Sequence, residues 1–130
     1  MPQFLNPPTL ARPTSRYSQA VLVEAGAERL IISGQVATKP DGTIVQGLAA
    51  QTEQIFDNLE AALAAAGMTI RDLVKLTIFC VAPGGAAQVR EIRNRRLGDH
   101  APASTFVQVA GLANPDYLLE IEGEAVRSKT

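Results

Sequence analysis

Three glutamates stand on alternate positions in Leu118-Leu119-Glu120-Ile121-Glu122-Gly123-Glu124-Ala125. Extended backbone sends successive side chains to opposite sides, so Glu120, Glu122 and Glu124 share one face of a strand. Such a row has two uses. Carboxylates in line repel one another and can blunt a solvated sheet edge. Alternatively, one of them lines a cleft and moves a proton to or from a water, as a carboxylate of suitable pKa does. Other groups able to touch a ligand are scattered. Tyr17, in Arg16-Tyr17-Ser18-Gln19-Ala20, offers a hydroxyl at the start of an extended run. Ser33-Gly34-Gln35 ends a second run, where glycine permits close approach by a ligand or another chain, or simply a bend. His100 precedes Ala101-Pro102, has no acid and nucleophile at a spacing that would make a triad, and reads as a loop residue. Cys80, between Phe79 and Val81, reads as a small buried apolar group.

The elements that must position these groups follow from periodicity. Residues Met1 to Arg16 carry Pro2, Pro7, Pro8 and Pro13, and the fixed φ of proline predicts an irregular arm over 1–16. Tyr17 to Glu24 and Arg29 to Gly34 read as two strands joined across Gly26-Ala27-Glu28 as a hairpin. Lys39-Pro40-Asp41-Gly42 is a turn. From about Leu48 to Ala66, Ile55, Leu59, Ala62, Leu63 and Ala66 recur at helical spacing, with Gln51, Glu53, Asp57 and Glu60 on other faces and Gly67 as a left-handed cap. Val74 to Val81 is a strand with Val74, Leu76, Ile78 and Cys80 on one face and Phe79 and Val81 on the other. Ala86 to about Leu97 is a second helix, with Val89, Ile92 and Leu97 inward, Glu91 placed to meet Arg95, and Arg93, Arg95 and Arg96 on the solvated face. Strands at Ser104 to Val109 and Leu118 to Val126 complete the chain.

Composition narrows the function. At 130 residues the chain is one domain, 1–130, able to bury roughly two-thirds of its unfolded surface. Twelve basic against thirteen acidic residues leave no field to attract nucleic acid or an acidic membrane. One cysteine and one histidine exclude an internal disulfide and a zinc cluster. No glycine-rich phosphate loop or dinucleotide fingerprint supports nucleotide chemistry, so no cofactor or metal is expected and a small-molecule substrate must be handled by ordinary side chains. The first eight residues lack a basic start followed by an apolar run, and no later stretch is long and apolar enough to span a bilayer, so the chain reads as soluble and cytoplasmic.

Two helices can cover one face of a sheet of five or six strands, a two-layer α+β arrangement. The other face is the problem, because Leu30-Ile31-Ile32 and Val74 to Val81 carry apolar residues on both sides. A second copy of the same chain is the economical cover, so a closed homo-oligomer is expected.

Taken together, Tyr17-Ser18-Gln19-Ala20, Ser33-Gly34-Gln35, Gln51-Thr52 through Asn58-Leu59 to Ala65-Ala66-Gly67, Val74-Lys75-Leu76-Thr77-Ile78-Phe79, Pro102-Ala103-Ser104, Val107-Gln108-Val109 and Glu120-Ile121-Glu122 resemble the RidA (YjgF-type) family of enamine and imine deaminases. The resemblance spans nearly the whole chain. It implies a chorismate-mutase-like homotrimer with ligand clefts at the subunit seams, hydrolysing reactive enamines and imines to a keto acid and ammonia without a cofactor. It also implies that Tyr17, Ser33 and Gly34 shape the cleft and that Glu120 orients or deprotonates the attacking water.

One position departs from the pattern. The deaminases place an arginine after Pro-Ala, where it grips the substrate carboxylate, and this chain has Ser104, which lacks both the charge and the planar fork. Two residues on, Phe106 stands where the deaminases often have cysteine, giving a larger and more apolar pocket. The expectation is therefore a hydrolase that keeps water chemistry through Glu120 but acts on a larger or less acidic enamine, imine or related C–N substrate, with Arg16 as a candidate relocated cation. The alternative is a non-catalytic trimer that binds small metabolites or proteins at the same seams. RNA cleavage, ascribed to some relatives, has little physical support in a chain of balanced charge.

Overall fold

Helical spacing in the sequence becomes helix α1, Leu48–Ala65, in the structure, a computed structural model that describes residues 1–129. Ile55, Phe56, Leu59 and Leu63 are fully buried along it. Gly67, at φ 70°, ends it as a left-handed residue, and the Met68 N–H closes the last turn on the Leu63 carbonyl at 2.9 Å. Gln51 is on the buried side rather than an outer face. Its amide donates to the Val45 and Asp116 carbonyls at 2.9 and 2.8 Å and accepts from the Leu118 N–H at 2.8 Å, so a buried polar group is fully used in tying two loops to α1.

The strands are β1 Gln3–Leu5, β2 Ala20–Leu22, β3 Glu28–Gln35, β4 Leu73–Cys80, β5 Ala103–Gln108 and β6 Leu119–Arg127, with α2, Ala86–Leu97, between β4 and β5. The main sheet has the order β3-β6-β4-β5, antiparallel except for the parallel β4–β5 pair. Both helices pack on one face of it. Their Phe56, Leu59, Leu63, Val89 and Leu97 join Ile32, Leu76, Ile78, Cys80, Leu119, Ile121 and Ala125 of the sheet in a single core, the two-layer α+β arrangement expected.

Three sequence expectations change. The hairpin between the second and third strands does not form. Ser18 bridges Ala103 at the outer edge of β5, whereas β3 lies at the opposite edge of the sheet, so the chain from Tyr17 to Leu22 cannot lie beside β3. Instead β2 pairs with β1, which places a short strand inside the arm expected to be irregular. The Glu91–Arg95 pair is also replaced. Arg95 reaches Glu53 of α1, and Arg96 reaches Glu53 and Asp57, each at 2.8 Å, as well as Glu60, because the carboxylate row on the facing helix offers closer counter-charges than the helix's own turn. Arg96 also lies over the Phe56 ring at 5.6 Å. Finally, Arg93 and Arg96 are not on a solvated face: Arg93 is buried and the Arg96 side chain is 16% exposed.

On the far face of the sheet, Ile31 is 62% exposed and Val107 37%. That face also carries Lys75, Thr77 and the glutamate row, and no element among the described residues covers it.

Candidate functional site

Cross-strand register sorts the expected site residues into two groups. Glu120 pairs with Phe79 and Glu122 with Thr77, on the uncovered face, while Leu119 and Ile121 point into the core. Ser104 pairs with Leu76 and Phe106 with Ile78, on the helix face. Strand β4 separates the two groups, so one chain does not bring Glu120 to Ser104.

The first group forms where β3 is irregular. Pairing to β6 slips between Ile32 and Gln35, leaving Ser33 and Gly34 as a bulge, a device that re-aims side chains next to sites. The Glu120 carboxylate folds against Gly34 so closely that a Cβ built there would overlap its Oε2 and lie 2.7 Å from its Cδ. Ser33 is exposed beside it on the same face. The glutamate row is not uniform. Glu124 pairs with Arg29 at 3.1 Å and Glu122 is exposed, whereas Glu120 is half-buried and, among the described residues, has no ion pair or hydrogen-bond partner. The nearest lysine of that face, Lys75, bonds Thr105 Oγ1 at 2.7 Å instead.

The second group surrounds a cavity of about 140 Å³ lined by Tyr17, Ser15, Arg90, Arg93, Ser104 and Phe106, among others. Tyr17 is set there by its neighbour: Ser18 donates its N–H to the Pro102 carbonyl at 3.1 Å and its hydroxyl to the Ala101 carbonyl, which fastens the segment to the start of β5. Arg93 enters from α2, four residues after Val89 and four before Leu97, on the stripe that faces the sheet. Its Nη2 donates to Ser15 Oγ at 2.6 Å and to Asn94 Oδ1 at 3.3 Å, and its Nη1 to Ser104 Oγ at 3.4 Å. Burial, then the neighbouring Arg90 charge, lower its pKa from the ordinary guanidinium value, with Tyr17 opposing them. Arginine nevertheless stays a cation at neutral pH. For Arg96, burial also disfavours the charge, but Glu60 and Asp57 outweigh it and hold the guanidinium above its usual value.

Arg16 joins neither group. It is exposed and lines an open cleft with Pro13, Ser15 and Asn94, because a neighbour of Tyr17 in extended backbone points the other way. The cation beside Ser104 is Arg93, which sequence reasoning assigned to solvent. A charged residue at i+4 from Val89 and i−4 from Leu97 was the available signal. His100 lies in the loop between α2 and β5, as expected, and is buried there, with Nε2 2.7 Å from the Leu73 carbonyl and Phe4 edge-on at 5.3 Å. Cys80 is fully buried and unpaired. Among the described residues no three His, Cys, Asp or Glu side chains gather to hold a metal, and no helix is long and apolar enough to cross a membrane.

Comparison with known proteins places this geometry. A family model described as Endoribonuclease L-PSP matches residues 9–127. A RutC family protein of Pyrococcus horikoshii is 36% identical over 118 residues, 89% of this chain and 90% of that one. The 2-iminobutanoate/2-iminopropanoate deaminase of Escherichia coli is 36% identical over 102 residues, 75% of this chain and 79% of its own. Among solved structures, a Rid-family protein of unknown function from Yersinia pestis superimposes with a TM-score of 0.87 at 34% identity, over 97% of this chain and 98% of that one. With nearly the full chain matched in sequence and in fold, the protein belongs to the RidA/YjgF family.

Proposed function

We propose that this protein is a cofactor-independent hydrolase of small reactive imines and enamines, working in a homotrimer at seams where Glu120 of one copy faces the Tyr17–Ser104 cavity of the next. The observation that carries the reading is the Glu120 carboxylate itself. It is half-buried against Gly34, free of counter-ions among the described residues, on a sheet face that the chain leaves open. The two glutamates beside it are exposed or paired with arginine, so Glu120 is the one of the row that is both sheltered and without a counter-ion among the described residues.

The chemistry asks little of the protein. An enamine tautomerises to the imine, and protonation at nitrogen makes the imine carbon electrophilic. Water adds to that carbon as Glu120 accepts its proton, giving a carbinolamine. Return of the proton from Glu120 to nitrogen expels ammonia, and the hydroxyl proton leaves to solvent, balancing the one taken up by the imine nitrogen, so that imine and water become keto product and ammonia. Positioning and proton transfer are sufficient for such a reaction. The similarity to a 2-iminobutanoate/2-iminopropanoate deaminase supports the same reaction class.

Imines freshly generated from amino acids of varied side chain provide the test. Ammonia release faster than in buffer is expected for at least the short members. Binding without acceleration across the whole panel would contradict the reading and favour a binding module. The polyanion implied by the family model's description finds no favourable field in a chain of net charge −1.

A further inference from the structure

Two arginines of α2 are withdrawn from water, and the fold treats them differently. Arg96, three positions beyond Arg93, is met by Glu53, Asp57 and Glu60. Arg93, 5% exposed, is met among the described residues only by the neutral oxygens of Ser15, Asn94 and Ser104, and its Nε has no partner among them. A buried cation without a counter-charge is strongly unfavourable. Helix α2 shows at Arg96 that this chain can supply carboxylates, yet no acidic side chain lines the cavity that Arg93 faces.

We propose that Arg93 is the anchor for the carboxylate of a small ligand in this cavity. The inference rests on the hydrolase reading in one respect, that it names the substrate class of the same site. The guanidinium offers planar paired donors that fit a carboxylate. The Ser104 and Tyr17 hydroxyls stand in the same wall and can donate to its remaining lone pairs, while Ile78, Val89 and Phe106 give an apolar wall for a short side chain. About 140 Å³ admits an acid of a few carbons, and Arg90 lines the cavity as well, so its wall is cationic; Arg93 is the buried one of the two. The charge that Ser104 cannot supply from β5 thus comes from α2, 3.4 Å away. The substrate remains acidic, contrary to what Ser104 alone suggests. An arginine at 104 would oppose Arg93, so the serine follows from the position of the cation.

Titration of the full-length protein with 2-oxobutanoate and with its neutral amide, followed by calorimetry, tests this without turnover. The acid is expected to bind better than the amide. Arg93→Gln is expected to weaken the acid by about tenfold or more and leave the amide unchanged. Adding Ser104→Arg to Arg93→Gln is expected to restore acid binding, whereas Ser104→Arg alone does not improve it. Should Arg93→Gln fail to fold, the acid and not the amide is expected to raise the melting temperature of the unaltered protein and, to the same extent, of Arg90→Gln; loss of that shift in Arg90→Gln would overturn the assignment to Arg93. Equal binding of acid and amide, unchanged acid affinity in Arg93→Gln, or tighter binding of inorganic phosphate than of the acid would overturn the proposal. A protein that binds the acid through Arg93 but hydrolyses no imine keeps the anchor and loses the hydrolase. Imine turnover that is equal in Arg93→Gln and its parent does the reverse.

Discussion

Replacing Glu120 by glutamine is expected to lower kcat on imines by about two to four orders of magnitude, the usual loss when a positioned general base is removed. The amide keeps the volume of the side chain and its fit against Gly34 but cannot take the water proton. Glu120 makes no ion pair among the described residues, so no partner is left stranded. Stability should therefore stay within about 0.5 kcal/mol, as for most partly exposed substitutions. Glu122→Gln and Glu124→Gln are the matched controls, one exposed and one paired with Arg29, and should retain parent-like turnover. Rates measured on a freshly generated imine, with melting curves for all three variants, check this. A parent-like kcat in Glu120→Gln would remove it from the chemistry.

Gly34→Ala is the second large effect. An added Cβ would overlap Glu120 Oε2 and sit 3.0 Å from its Cγ, so something must move, and the flexible end of the glutamate moves most easily. The φ of Gly34 is not in the left-handed region, so alanine brings no backbone strain. The unfolded chain loses conformational freedom, which favours the folded state by about 0.4–1 kcal/mol. Activity and stability should part company. Turnover is expected to fall by about a hundredfold, since a displacement near one ångström of a reacting group suffices for that, while the melting temperature holds or rises. Unchanged turnover would show that the close approach of Gly34 and Glu120 does not set the position of the carboxylate.

Much of the fold can be read from residues whose local and tertiary preferences agree. The Ile55, Leu59 and Leu63 spacing and Gly67 define α1 and its end, and the alternation of Leu119, Ile121, Ala125 with the glutamates defines β6 and its two faces. Pairing is less legible. Strand β2 has the composition of a strand, but its partner is decided by Ser18, whose bridge to Ala103 draws the segment to the far edge of the sheet. No period in the sequence encodes that contact. At the site, Tyr17, Ser104 and Phe106 do share a cavity, and Gly34 does meet Glu120. What went unread is that Glu120 and the Tyr17–Ser104 cavity lie on opposite faces of the sheet, and that a buried arginine lines that cavity. Charged residues on amphipathic helices usually face water, and the habit hid Arg93 even though its spacing from Val89 and Leu97 placed it on the inner stripe.

The Glu120 side and the Arg93 side can be tested together by mixing two impaired variants, assayed at an imine concentration low enough that weak binding limits Arg93→Gln. Glu120→Gln and Arg93→Gln chains, co-refolded so that their copies exchange, should form mixed oligomers in which some seams join an intact Glu120 to an intact Arg93 cavity from the neighbour. Random mixing is expected to restore about a quarter of the parent turnover, because each seam needs the unaltered partner on both sides. Mixtures that exchange subunits yet show no more than the average turnover of their components, or a parent protein that is fully active as a monomer, would contradict a catalytic centre shared between copies.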